Sequence, residues 1–130
     1  MALEIAVAEK EPGVFSCALK GELNTDTYQQ FEEKTKAFSS RAKALVIDLQ
    51  ALDYISSMGL SSIARLHLAM EARNATIALV NMQPKVKLVF ETMHVLSPQV
   101  FATLQEADDY LDRFLDGVQK GTIKPRDPLG

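Results

Sequence analysis

Two short segments of this 130-residue chain limit its fold more than any others. Within KALVIDLQAL the residues Ala44 to Ile47 are apolar without a break, and ATIALV at 75–80 repeats the pattern. A strand with one wet face alternates polar and apolar residues. Unbroken runs rich in branched side chains suit central strands covered on both faces, as in parallel sheets.

The flanking segments supply what such strands need. In LEIAVAEKEPGVFSCALKGEL, Leu3, Ile5 and Val7 alternate with Glu4 and Ala6, and Phe15, Cys17 and Leu19 alternate with Ser16 and Ala18. This period of two predicts a pair of half-buried strands, broken at Pro12-Gly13. NTDTYQQFEEKTKAFSS brings Tyr28, Phe31, Thr35 and Phe38 round at helical spacing. A second helix is predicted after Ser57, with Ile63, Leu66 and Met70 facing inward, and a third in PKVKLVFETMH, where Pro84 suits the first turn. Val100 to Leu104 reads as a short last strand and EADDYLDRFLDGV as a final helix. The order predicts an α/β fold: a single domain over 1–116, with a mixed β-sheet, a largely parallel centre and about four helices. From Gly117 to 130 periodicity is lost and Gly and Pro gather, which reads as a flexible C-terminal tail.

Charge and composition narrow the function. A net charge of −3 without a Lys/Arg cluster gives no footing for nucleic acid. Apolar runs fall far short of the roughly 20 residues of a membrane span. The opening MALEIAVAEKEPG has early acidic residues and no basic leader, so it does not read as a secretory signal. One cysteine, Cys17, cannot form an internal disulfide and suits a reducing compartment. These features lead us to expect a cytoplasmic protein.

The stretch DYISSMGLSSIARL, 53–66, packs four serines around one glycine where strand is expected to give way to helix, in a loop after Leu49. Loops at the carboxyl ends of strands are where open α/β sheets meet ligands and partners. Ser56 or Ser57 can cap the helix. Gly59 in the first turn lowers helix propensity by about 1 kcal/mol against Ala, so it points to close access or tight packing. A phosphate on Ser57 would add about −1.5 to −2 charges, tolerable beside the amides of a helix start but not beneath an apolar partner.

Three landmarks in order resemble the STAS domain of bacterial anti-sigma factor antagonists, over about residues 3 to 116. LKGELNTDT at 19–27 resembles the early GELD segment, ALVIDLQALDYISSMGLSSI the central signature, and LVNMQPKVKLVFETM the later strand and helix. The resemblance implies a regulatory binding module and not an enzyme. It implies phosphorylation of Ser57 by an anti-sigma factor with serine kinase activity, and reversal by a serine phosphatase. The implied partner surface comprises Asn24, Ser56, Ser57, Met58, Gly59 and Leu60, joined by Asn81 and Met82 after the ATIALV strand. Three positions depart from the pattern: Ser56 replaces the motif's aspartate, Met58 a small hydroxyl residue, and Asn24 an early aspartate. The alternative is a STAS scaffold subunit of a larger signalling or transport complex, in which Ser57 only caps its helix.

Catalytic, cofactor and metal sites are not expected. Ser40–Lys43 fits S-x-x-K, but no S-D-N or K-T-G accompanies it. Cys17 lies on the apolar side of its strand, and His67 and His94 lack ligand spacing. Asp48, expected to end the central strand, suits a structural loop contact, and Asp108, Asp112 and Asp116 form a wet helix stripe. A serine hydrolase is the weakest reading, because no motif places a base beside any serine.

Overall fold

The computed structural model describes residues 2–93 and 99–119. The elements are β1 (Leu3–Glu11), β2 (Val14–Leu23), α1 (Tyr28–Ser39), β3 (Ala44–Ile55), α2 (Ser57–Glu71), β4 (Thr76–Val80), α3 (Pro84–Met93), β5 (Gln99–Phe101) and α4 (Leu104–Gln119). The five strands form one sheet in the order β1-β2-β3-β4-β5, antiparallel at β1/β2 and parallel elsewhere. The α/β class, the parallel centre and four helices among the described residues agree with the sequence.

The unbroken apolar runs lie where two cores meet. Leu45 and Ile47 of β3, with Ile77 and Leu79 of β4, face a core closed by Phe31 and Phe38 of α1, Leu60, Ile63 and Met70 of α2, and Val86 and Phe90 of α3. The alternate residues Ala44, Val46, Ala78 and Val80 face Ala107 and Leu111 of α4. Each large side chain so buried stabilises by about 1.5–3 kcal/mol, which is why both faces of these strands need cover. Over β1 and β2 the α4 side stays open: Glu4, Ala6, Ala8, Ala18 and Lys20 are exposed.

Strand β3 differs from expectation. The predicted loop after Leu49 is strand through to Ile55. Leu49, Leu52 and Ile55 are all buried at a spacing of three, which no regular strand gives. Two register shifts resolve this. Between Ala18 and Lys20 of β2 the partners step from Asp48 to Ala51, and between Gly21 and Glu22 from Leu52 to Tyr54. Each inserts one extra β3 residue and turns the next apolar side chain back inward.

At the other end, α4 continues through Gln119, beyond the expected start of a tail at 117. Gly117 is buried, and one glycine costs a helix only about 1 kcal/mol, so the helix carries on through it. Residues 120–130 and His94 lie outside the described residues.

Candidate functional site at the start of α2

Ser56 ends the strand in an extended conformation (φ −91°, ψ 172°) and is the N-cap of α2. Its Oγ accepts from the Gly59 amide at 3.1 Å, and its carbonyl accepts from Leu60 N at 2.9 Å. Its own amide donates to the Leu23 carbonyl at 2.9 Å, stitching the mouth of α2 to the end of β2. Of the two serines that could cap, Ser56 does so. Ser57, the first helical residue, is exposed.

Gly59 is explained by tight packing. A Cβ there would lie 2.4 Å from the Leu23 carbonyl oxygen. Both Gly59 and Leu60 are buried, Leu60 to 1% exposure, so these two expected partner residues act from beneath the surface by seating the helix. The side chains that reach solvent beside Ser57 are Met58 and Tyr54, 38% and 49% exposed. Asp53 is also exposed, with the Lys85 ammonium 4.0 Å away.

Asn24 stands one residue past Leu23 and has a structural task. Its Oδ1 accepts from the amides of Asp26 (2.9 Å) and Thr27 (3.2 Å), and its backbone N–H donates to Thr27 Oγ1 at 2.9 Å. These bonds fold the turn into α1 and leave Asn24 half-buried, close in sequence to the carbonyl that holds Ser56. The amide side chain closes a turn that an aspartate could also close, ahead of Thr27, the N-cap of α1.

Asn81 and Met82 meet other neighbours. Asn81 adopts φ 58° at the end of β4, a left-handed conformation Asn tolerates, and its Nδ2 donates to Asp48 Oδ1 at 3.3 Å. That oxygen also accepts from Gln50 N at 3.0 Å, so Asp48 makes a structural contact as expected, but from within β3, which continues to Ile55, and not from the strand's end. Met82 is half-buried against the larger core. Tyr54 was not singled out by the sequence, because a loop was expected where it stands; an aromatic residue three positions before Ser57 was the available signal.

Elsewhere the candidates for chemistry are occupied with structure. Cys17 is fully buried, and burial pushes its thiol up to about 12 against a downward pull from Lys34. His67 Nε2 lies 2.8 Å from Glu71 Oε2 on the same helix, in mostly buried surroundings. Among the described residues no group of His, Cys, Asp or Glu is arranged to hold a metal ion, and no helix is long and apolar enough to cross a membrane.

The mixed sheet, the four helices among the described residues and the exposed serine at the mouth of a capped helix together point to a known family. The chain belongs to the STAS domain family, whose model matches residues 6–107. It is 30% identical over 100 residues to BtrV of Bordetella bronchiseptica, assigned as an anti-sigma factor antagonist, covering 76% of this chain and 86% of that one. In structure it resembles Bacillus SpoIIAA in the phosphorylated form (22% identity, TM-score 0.67, 83% of this chain and 99% of that one). It also resembles a serine-to-glutamate variant of RsbS from Moorella thermoacetica (18% identity, TM-score 0.73, 86% and 97%). These two likenesses concern the fold.

Proposed function

We propose that this chain is an anti-sigma factor antagonist that sequesters an anti-sigma factor through the surface around Ser57, and that phosphorylation of Ser57 releases it. The observation that carries the reading is the division of labour between adjacent serines. Ser56 supplies the cap, so the exposed Ser57 hydroxyl is free to be modified without unfolding the helix. A phosphate there adds about −1.5 to −2 charges at the positive end of the α2 dipole, which accommodates it locally. A partner seated on the apolar side chains of Met58 and Tyr54 would have to bury that charge, and would leave. Binding and release are then one electrostatic decision. The kinase is the anti-sigma factor itself, a serine phosphatase restores the hydroxyl, and the setting is the cytoplasm.

The test is intact-mass analysis of the chain incubated with its anti-sigma kinase and ATP, followed by binding assays. One added phosphate is expected, lost in Ser57→Ala, and Ser57→Asp should weaken binding by about a hundredfold, or roughly 3 kcal/mol. A phosphate mapped to another residue, or undiminished binding by Ser57→Asp, would refute the switch and favour a scaffold role.

A further inference from the structure

The sheet has two edges of different character. Among the described residues strand β5 is three long, too short to template another strand, whereas β1 runs for nine with β2 on one side only, paired regularly over Leu3–Glu9 before a bulge at Lys10 and with its Leu3 carbonyl accepting from Gln30 Nε2 at 2.8 Å. A groove of about 560 Å³ runs beside β1, lined by Leu3 and Ile5 from the strand and by Gln30 and Lys34 from α1. Long edge strands are normally blunted by charge, and Glu4 and Lys10 meet that description. In one register, however, these charges attract.

We propose that β1 pairs with β1 of a second copy of this chain, antiparallel and centred on Val7, giving a continuous ten-stranded sheet across a twofold axis. About that axis Ala6 faces Ala8 of the other copy, and Glu4 lies opposite the bulge that carries the other copy's Lys10, within reach of that long side chain, twice over. Lys20 already stands across from Glu4 within the chain, its ammonium 3.9 Å from the carboxylate, so the open face gains rows of alternating charge from Lys20 to Glu4 to the second copy's Lys10. On the helix side Ile5 faces the second copy's Glu9, which comes over the groove that Lys34 lines. Centring on Ala6 or Ala8 loses the Glu4–Lys10 pairs, so charge selects the register where flat, small side chains would leave it loose. The partner is a second copy because the strand is complementary to itself. The surface lies on a different strand from the Ser57 surface, so each copy would keep its docking face.

Sedimentation equilibrium of the full chain at low ionic strength tests this. The wild type is expected to form a dimer that loosens as salt is added. Glu4→Lys and Lys10→Glu each set like charges opposite one another twice and should weaken the dimer about tenfold. An equimolar mixture of the two variants restores both pairs and should recover the wild-type dimer, as should the double variant in one chain. Circular dichroism matching the wild type verifies that these exposed substitutions leave the fold intact. A wild type that stays monomeric at every concentration, a dimer indifferent to either reversal, or a mixture that fails to recover would each overturn the pairing.

Discussion

Adjacent residues at the mouth of α2 carry opposite obligations, and single substitutions separate them. Ser56 makes the capping bond, so Ser56→Ala should lower stability by about 1 kcal/mol, whereas Ser57→Ala, at an exposed hydroxyl, should stay within about 0.5 kcal/mol of wild type. Urea titration of both variants reads the contrast. Gly59→Ala sets two effects against each other. Helix propensity improves by about 1 kcal/mol, while overpacking typically costs about 1–3 kcal/mol. Here the obstruction is the Leu23 carbonyl, 2.4 Å from the new methyl carbon and already bonded to Ser56 N, so it cannot step aside cheaply. We expect a net loss of about 1–2 kcal/mol in the same titration. From sequence the glycine was visibly special, but access and tight packing remained equal explanations, because the carbonyl that decides between them comes from a strand more than thirty residues earlier.

Between elements, the α1–α2 pair shows how unequal polar contacts can be. The Arg65–Glu32 ion pair spans 2.8 Å but joins side chains 52% and 37% exposed, so Arg65→Met should change stability by no more than about 0.5 kcal/mol. Arg73 reaches from just beyond α2 to the carbonyls of Ser39 and Ser40 at the end of α1 and of Ala42 in the turn that follows. Arg73→Met should therefore cost about 1 kcal/mol or more, measured as a lowered urea midpoint. Element order was legible throughout, since apolar period and strand propensity are local properties. The length of β3 was not. Gln50, Ala51, Asp53 and Tyr54 are exposed, and the buried Leu49, Leu52 and Ile55 follow a period that belongs to no regular element. Only the bulged pairing with β2 turns that pattern into a strand. The turn-forming role of Asn24 was not legible either: its hydrogen bonds to Asp26 and Thr27 depend on a local geometry that residue identity alone left open.

For the molecule as a whole, Cys17 reports on the integrity of the larger core. Its thiol is raised from 9.0 to about 12 by burial, so the native state holds a proton that the unfolded chain releases near 9. Between about pH 9 and 12 the native state binds more protons than the unfolded one, and stability falls as pH rises. Urea midpoints across that window should decline less steeply for Cys17→Ala than for wild type, and native Cys17 should react with a thiol reagent only after denaturation. The architecture around that core gives the Ser56–Leu23 bond a wider meaning. Main chain bonded to main chain is blind to which side chains hang nearby. Under the proposed switch, Met58 and Tyr54 could therefore be exchanged to suit a different partner while the Ser57 hydroxyl kept its place, because the bond that holds the mouth of the helix does not depend on them.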